Sequence, residues 1–314
     1  MDYDPEEIRR KVSISTSIAP AEWNGVKINI LDTPGYFDFV GEVKSALRVV
    51  DSVLVLIDAV AGVEVGTELV WQYADERQLP RLVVINKMDR ENANFDQALA
   101  SLKQAFGGKV VPLQMPVGQE ASFRGVIDLV DMKAVTYQEG QGQKPQTGDI
   151  PDSLKGKAAE LRDSLVEAAA EGDDEILMKY LDGNQLSSDE IKLGLRKGVM
   201  GGKIVPVLCA SSARNIGMQP IMDAVVNYLP SPAAVDEVKG VNIKTKEEET
   251  RKPSKDAPFS ALVFKTMADP YVGRLTVFRV YSGVLKSDTQ TYNATRDRSE
   301  RIGQLFVLRG KQQE

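Results

Sequence analysis

Five consecutive residues at the end of an apolar run have the chemistry to bind a phosphate and a metal ion. In "KINILDTPGYFDF", residues 27–39, the run ends at Asp32-Thr33-Pro34-Gly35-Tyr36. At the carboxyl end of a parallel strand, the Asp32 carboxylate can hold a magnesium ion, usually through its water. Pro34 and Gly35 force a bend, and the bare Gly35 amide can approach a terminal phosphate closely. By itself the motif is weak, because a surface turn in which Asp32 caps the next helix has the same letters.

A second group, "INKMD", places Asn86, Lys87, Met88 and Asp89 after another apolar run. The Asp89 carboxylate offers two acceptors to a pair of donors. Guanine presents such a pair at its ring N–H and exocyclic amine, and adenine does not. Asn86 can bond the other edge of the base or tie neighbouring loops together, and the Lys87 stem can cover the ring face.

A third group, "ASS" at 210–212, contains Ser211 and Ser212 and follows the last predicted strand of the sheet. A backbone amide there can reach the guanine carbonyl. Three such groups, each directly after a buried strand and in this order, are hard to obtain by chance. Together they predict a guanine-nucleotide site.

Alternating strands and helices position these groups in the first half of the chain. This alternation predicts a parallel α/β sheet, and the continuously apolar runs predict strands covered on both faces. The predicted strands are 26–31, 52–59, 81–86 and 203–209, the second and third of them of the covered type, and the predicted helices are 40–50, 65–78, 95–106 and 217–229.

The alternation breaks at 111–202, which we interpret as an inserted α+β subdomain. Strand-like pieces come first, then a Gly/Gln/Pro-rich loop at 138–151, then helical stretches within 154–183 and 187–199. The sheet-bearing domain is thereby predicted to comprise 1–110 and 203–230. A charged, proline-containing linker is predicted at 231–256, and period-two strands at 257–314 predict part of an antiparallel β-barrel.

Composition narrows the chemistry. The chain has no histidine, which excludes an imidazole base and any histidine-containing metal site. The net charge of −6 argues against a generic nucleic-acid coat. The single cysteine, Cys209, lies in an apolar run and is interpreted as a buried structural thiol. No apolar run approaches the ~20 residues of a membrane span, and no signal peptide is apparent, so we expect a cytoplasmic protein without a membrane partner.

At this point the chain closely resembles a translational GTPase, nearest to elongation factor G and its paralogues. The resemblance runs through nearly the whole length, including "RRKVSISTSIAP", "INILDTPGYFDFVGEV", "PRLVVINKMDR" and "FKTMADPYVGRLTVFRVYSG". It implies a P-loop-GTPase-like G domain, an insertion similar to the family's G′ subdomain, and the opening of domain II.

The resemblance also implies roles for individual residues. Gly35 and Tyr36 stand at the catalytic positions, and Ser13 and Asp32 at the magnesium positions. The implied GTP-binding residues are Asp32, Thr33, Pro34, Gly35, Tyr36, Asn86, Lys87, Met88, Asp89, Ser211 and Ser212. The implied cofactors are GTP and Mg²⁺. The implied partner of a monomeric protein is the ribosome, through its RNA and stalk proteins, during translocation.

Two departures from the family pattern bear on activity. Nothing in the sequence matches the phosphate loop G-x-x-x-x-G-K-[ST], which in the family lies upstream together with the first strand. We therefore expect a parallel sheet lacking that strand, an inactive fragment, and a chain that is a piece of a longer protein cut at both ends. The family's DTPGH histidine is Tyr36 here, as in some paralogues, and we predict slower or differently triggered hydrolysis.

Several alternatives stay open. The parent could be a ribosome-protection or release-factor-like GTPase. The chain could be a non-hydrolysing module that binds the ribosome or another partner, or a truncated gene model without its own function. One basic group near the end of the chain is either an RNA-contacting patch or a solvated barrel edge, and it comprises Arg296, Arg298, Arg301, Arg309 and Lys311.

Overall fold

The structure is a computed structural model that describes residues 2–138, 144–235, 237–269 and 273–313. Residues 139–143 of the predicted Gly/Gln/Pro-rich loop, and 270–272 in the predicted turn of the barrel hairpin, lie outside the described residues. The chain forms two compact units, one of 1–22, 27–50 and 230–314 and the other of 23–26 and 51–229. These units are larger groupings than the predicted domains, whose bounds stay a prediction.

Helices and strands alternate through the first half of the chain, and strands dominate its end. The helices are α1 Pro5–Arg10, α2 Val40–Leu47, α3 Val65–Glu76, α4 Phe95–Phe106, α5 Asp152–Ala170, α6 Asp174–Leu181, α7 Ser188–Met200 and α8 Met218–Tyr228. The strands are β1 Ser17–Trp23, β2 Val26–Asp32, β3 Val53–Asp58, β4 Arg81–Asn86, β5 Val110–Pro112, β6 Gln114–Val117, β7 Gly125–Asp128, β8 Lys133–Tyr137, β9 Pro145–Gly148, β10 Val205–Cys209, β11 Val238–Val241, β12 Glu248–Arg251, β13 Ser260–Asp269, β14 Gly273–Ser282, β15 Gln290–Asn293, β16 Arg298–Arg301, β17 Leu308–Arg309 and β18 Gln312–Gln313.

The larger unit contains a parallel sheet with strand order β3-β4-β10-β5. The predicted strand 26–31 is not part of it: β2 pairs with β1 in a separate two-stranded sheet, and its side chains are largely exposed rather than buried, because no other strand or helix covers them among the described residues. Strands β4 and β10 are central and buried, as expected for parallel strands covered on both faces. Cys209 closes β10 in the core, where burial raises the pKa of its thiol, so its interpretation as a structural thiol is confirmed. The register pairs Asp58 with Asn86 and Cys209 with Ile85, which brings the ends of β3, β4 and β10 to one edge.

Strand β3 corrects one expectation. The run 52–59 was expected to be covered on both faces, but Leu54 is 39% and Leu56 61% exposed, while Val55 and Ile57 are buried. Among the described residues β3 pairs only with β4 and is an edge strand, and Leu54 and Leu56 lie on the face of this strand that the described structure leaves partly uncovered.

The helix beside this sheet follows its sequence pattern. Helix α4 covers 95–106 as predicted, and its buried side chains Phe95, Ala98, Leu99 and Leu102 recur at three- and four-residue spacing. Asn94 caps the helix by accepting a hydrogen bond from the Gln97 amide.

The insertion has an antiparallel sheet, β6-β7-β8-β9, and the three helices α5, α6 and α7. The helical stretch within 154–183 is split into α5 and α6. Asp173 caps α6 by accepting from the Glu175 and Ile176 amides. At Gly172 a Cβ would lie 2.0 Å from the Gly194 carbonyl oxygen, so only glycine permits this close approach of α5 to α7.

The smaller unit contains the β1–β2 strand pair, helices α1 and α2, and four antiparallel hairpins, of which β13–β14 is the longest. The predicted linker 231–256 contains the hairpin β11–β12 rather than only extended chain. Its turn forms because the Asn242 side chain accepts hydrogen bonds from the Lys244 and Thr245 amides. None of the described helices is both long and apolar enough to cross a membrane.

Candidate functional site

The loops that follow β4 and β10 are joined by a reciprocal pair of hydrogen bonds. The Asn86 amide nitrogen donates to Ser212 Oγ at 3.0 Å, and the Ser212 backbone amide donates to Asn86 Oδ1 at 3.0 Å. Both residues end or follow parallel strands at the carboxyl edge of the sheet, where ligands bind in open α/β folds. Of the two roles open to Asn86, the structure gives it the tying of loops.

The loop 86–90 is also held by contacts of Met88 with the core. The Met88 side chain is completely buried in the core, and its amide donates to the Ala210 carbonyl oxygen at 3.1 Å. Lys87 has a positive φ of 61°, the left-handed region that turns the chain sharply after the strand. Met88 therefore holds the loop in place, and its neighbours Lys87 and Asp89 face outward.

Asp89 also lies in this loop, and its carboxylate is available to bind a ligand. The side chain is partly buried, and within the described part of the chain it forms no hydrogen bond or ion pair. A carboxylate held in a rigid loop with both oxygens available can accept two parallel N–H bonds. Asp89 therefore stays a predicted base-binding residue.

Lys87 has a partner that sequence analysis missed. Its Nζ lies 2.9 Å from Asp58 Oδ2, and Arg90 Nη1 lies 2.7 Å from the same oxygen. Burial opposes ionisation of Asp58, but hydrogen bonds from the Val60 amide and Lys87, with the charges of Lys87 and Arg90, hold the pKa of its carboxyl below its ordinary value. The available signal was an acid as the last residue of an apolar strand, the same signal that singled out Asp32.

Ser211 and Ser212 differ in their surroundings. Ser211 is completely buried, exchanges backbone hydrogen bonds with Ile216, and accepts from the Arg214 amide through its hydroxyl. Ser212 is exposed and pairs with Asn86. Ser211 thus builds the turn, and Ser212 lies at its surface.

In the other unit, Asp32 is the last residue of β2 and is partly buried. Burial raises the pKa of its carboxyl, and the charges of Asp2 and Glu7 act in the same direction. Ser13 donates a hydrogen bond from Oγ to Asp2 Oδ1 at 2.8 Å. The Ser13 hydroxyl and the Asp32 carboxylate are hard oxygen donors, and a cation offsets the mutual repulsion of these acids.

This donor set fits a magnesium ion. Mg²⁺ usually takes only one or two protein ligands and completes its shell with water and phosphate. No group of three or more His, Cys, Asp or Glu side chains that could hold a metal ion occurs among the described residues. Ser13 and Asp32 stay predicted ligands.

The turn after β2 is open. A Cβ on Gly35 would meet no described atom within 4 Å, so there is open space on that side of the turn. Tyr36 follows in extended backbone, precedes the short 3₁₀ helix Phe37–Phe39, and has a side chain that is 60% exposed. Thr33 and Pro34 connect this turn to β2.

Part of the basic group of the last hairpins lies beside acidic side chains. Arg298 and Arg296 lie 3.1 and 3.9 Å from Glu300, and Arg301 lies 3.2 Å from Asp288. Because two arginines share one glutamate, and Arg309 and Lys311 add further positive charge, the group keeps a net positive charge. The RNA-contacting patch and the solvated barrel edge therefore both stay open.

The comparisons with known proteins agree with this geometry. Residues 1–231 match the model of the elongation factor Tu GTP binding domain, and residues 258–314 match elongation factor G domain 2. A crystal structure of a protein from Thermus thermophilus is similar over 99% of this chain, with a TM-score of 0.83 and 30% identity. The chain spans 44% of that protein's length. The family matches cover both units, and the chain therefore belongs to the elongation factor G-like translational GTPases.

Proposed function

We propose that this chain supplies the guanine-nucleotide part of an elongation factor G-like protein that binds GTP with Mg²⁺ and acts on the ribosome during translocation. The proposal places the protein in the cytoplasm as a monomer. The main supporting observation is the loop 86–90, which the reciprocal hydrogen bonds between Asn86 and Ser212 hold in place. Within the described part of the chain, the Asp89 carboxylate in this loop forms no hydrogen bond or ion pair.

The base-reading role rests on complementary hydrogen bonding. Asp89 accepts from the ring N–H and the exocyclic amine of guanine, and adenine lacks that pair of donors. The Lys87 stem covers one face of the base while its ammonium stays paired with Asp58. Asn86 and Ser212 keep the two loops at a fixed separation.

The phosphate-binding role rests on the turn after β2. The Gly35 amide donates to the terminal phosphate, and the Tyr36 phenol can orient a water by donating or accepting one hydrogen bond. Asp32 and Ser13 would hold Mg²⁺, which when bound neutralises charge on the phosphate oxygens. Positioning and charge stabilisation are the main terms in phosphoryl transfer, so these residues need no covalent step.

The direct test is titration of a fluorescent GTP analogue with Mg²⁺ into the purified 314-residue chain, with an ATP analogue as control. Guanine-selective binding is the expected result. If the chain melts cooperatively but does not bind the GTP analogue, the proposal that this chain itself binds GTP is wrong.

The substitution Asp89→Asn makes the test specific for the base. Asparagine presents one acceptor and one donor, which matches the N–H and carbonyl of xanthine instead of the two donors of guanine. We expect loss of the GTP analogue and gain of a xanthosine triphosphate analogue, measured by competition. Asp96→Asn, on the exposed side of α4, is the matched control and should leave the preference for guanine unchanged.

A second candidate function is a non-hydrolysing module that binds the ribosome or a partner. Tyr36 in place of the family histidine, and a sequence without G-x-x-x-x-G-K-[ST], favour it for this chain. GTP-dependent phosphate release by the purified chain would exclude it. Ribosome protection and peptide release are the alternatives within the class, and ribosome assays of the complete protein would separate them from translocation.

A further inference from the structure

A buried lysine of the barrel hairpin joins two segments of the phosphate-binding end. Lys265 lies on β13 with its side chain 8% exposed. Its Nζ donates to Glu42 Oε2 at 2.7 Å, to the Thr16 carbonyl oxygen at 2.9 Å, and to Ser15 Oγ. Three oxygens from two separate parts of the chain therefore satisfy the three donors of one ammonium group.

Glu42 completes the link from the other side. It lies in the first turn of α2, the helix that follows the turn of Gly35 and Tyr36. Its Oε2 accepts hydrogen bonds from both Lys265 and the Thr16 amide, the latter at 2.7 Å. The carboxylate thus bridges the helix after one candidate phosphate-binding turn to the segment that carries Ser13.

The neighbouring strand holds the opposite end of the same helix. Arg279 Nη1 on β14 donates to the Val49 carbonyl oxygen at 2.7 Å, and the Tyr281 hydroxyl donates to the Arg48 carbonyl oxygen at 3.2 Å. A cation beside the last carbonyls of a helix is favourable because of their partial negative charge. The hairpin β13–β14 therefore contacts α2 at its first turn and just beyond its last.

We propose that Lys265 is a positioning residue that holds the segment of Ser13 and the helix after Gly35 in one fixed arrangement. The inference rests on the proposed function, because it gives the barrel hairpin a part in shaping the phosphate-and-metal end of the site. The physical reason is that moving either segment alone strips a buried ammonium of its acceptors, which costs far more than breaking an exposed pair. The two segments must then move together or not at all.

Amide hydrogen exchange on the 314-residue chain without nucleotide tests the coupling directly. The variants are Lys265→Met, Glu42→Gln and the double variant, and the control is Lys286→Met, an exposed lysine of the same unit. We expect exchange at Thr16 and in α2 to become about tenfold faster in each single variant, the loss expected for one charge-assisted hydrogen bond. Both single variants remove the Lys265–Glu42 ion pair, so the double variant should be no faster than the faster of the two singles.

Additive effects, or faster exchange confined to β13, would overturn the proposal. Lys265→Arg tests the need for a cation and should retain most of the protection at Thr16. If Lys265→Met does not fold, Glu42→Gln still reports on the link, since glutamine keeps an acceptor for Thr16 and loses only the charge. Unchanged exchange at Thr16 and in α2 in that variant also counts against the coupling.

A nucleotide measurement separates this inference from the proposed function. Failure of the wild-type chain to bind the GTP analogue counts against the proposed function and leaves the exchange result standing. Where binding occurs, Lys265→Met should weaken it and raise the Mg²⁺ concentration that it requires, with the preference for guanine over adenine unchanged. A change in base preference with no change in Mg²⁺ requirement would contradict a role at the phosphate end.

Discussion

In the turn after β2, the side chain of Tyr36 and the open space at Gly35 set the hydrogen bonds and charges that a bound phosphate would meet. Tyr36 stands where the family has histidine, and its side chain is largely in solvent at the start of a short 3₁₀ helix. A phenol is uncharged at neutral pH and offers one hydrogen bond, whereas an imidazole can also carry a positive charge. Gly35 beside it has open space on the side where a Cβ would project.

Tyr36→His should leave the fold intact, because the replaced ring packs against little. We expect it to raise ribosome-stimulated GTP turnover of the complete protein, since an imidazole both orients water and can be protonated. Steady-state phosphate release with ribosomes measures this. Phe37→His, at the adjacent exposed aromatic residue, is the control. A rate that stays equal or falls would argue that tyrosine is the functional residue here.

Gly35→Ala separates folding from binding. The added methyl meets no described atom, so the free energy of unfolding should change by less than about 0.5 kcal/mol. Affinity for the GTP analogue should fall by about tenfold, because the methyl group would keep the terminal phosphate from approaching the amide closely and so weaken one hydrogen bond to a charged group. Gly41→Ala, in equally open space on α2, should leave affinity unchanged. Equal affinity of wild type and Gly35→Ala would show that this amide does not approach the phosphate.

At the scale of elements, short polar side chains at strand and helix ends fix the loops. Asp128 ends β7 and accepts hydrogen bonds from the Val130 and Asp131 amides at 2.7 and 2.9 Å. Burial raises the pKa of its carboxyl despite these bonds, with the neighbouring Asp131 charge adding to the shift. Asp128 therefore stabilises the tight turn after β7, and its charged carboxylate is partly desolvated there.

Asp128→Asn should increase the free energy of unfolding at pH 7. Because the pKa of Asp128 is raised in the folded state, that state binds its proton more tightly, and stability falls as pH rises from the unfolded pKa through the folded one. Asparagine keeps an acceptor and does not titrate, so its advantage should vanish in acid. Urea unfolding between about pH 4 and pH 7 measures this.

The control for this pH dependence is Asp163→Asn, an exposed residue of α5. It should parallel the wild type across the range. A lower stability of Asp128→Asn at pH 7 would mean that the charged form strengthens the two amide bonds by more than its burial costs.

At the scale of the whole molecule, the apolar pattern of a strand does not by itself decide how deeply its side chains are buried. Strands β3 and β4 have similar runs, yet β4 lies between two neighbours and β3 at an edge of the described sheet. Leu82 is completely buried, whereas Leu56 is 61% exposed.

Leu82→Ala and Leu56→Ala form a matched pair that measures this difference. We expect Leu82→Ala to lower the free energy of unfolding by about 3 kcal/mol, since it removes apolar contacts and leaves a cavity. Leu56→Ala should cost less than about 1 kcal/mol, because the side chain is already largely in water. Chemical denaturation of both variants gives the comparison. Similar losses would mean that Leu56 is covered in solution.

The sequence by itself determined the α/β alternation, the order of the three groups predicted to bind a nucleotide, and the family, because strand and helix periods and short loop motifs are local properties. Helix α4 and strand β4 coincide with their predicted bounds for this reason. The break between α5 and α6 was missed although Gly172 and the N-cap residue Asp173 are local signals for it, because the strongly helical residues on both sides read as one stretch.

Only the tertiary structure decided which side chains meet. Asp58 faces Lys87 because parallel register aligns the ends of β3 and β4, and Lys265 faces Glu42 because a strand more than two hundred residues later packs on α2. Among the described residues it also decided that β3 lies at a sheet edge, that Ser211 builds its turn, and that the Asp89 carboxylate forms no hydrogen bond or ion pair. These outcomes depend on how segments that are distant in the chain pair and pack. The free energy of such contacts depends on neighbouring residues that a local sequence pattern does not identify.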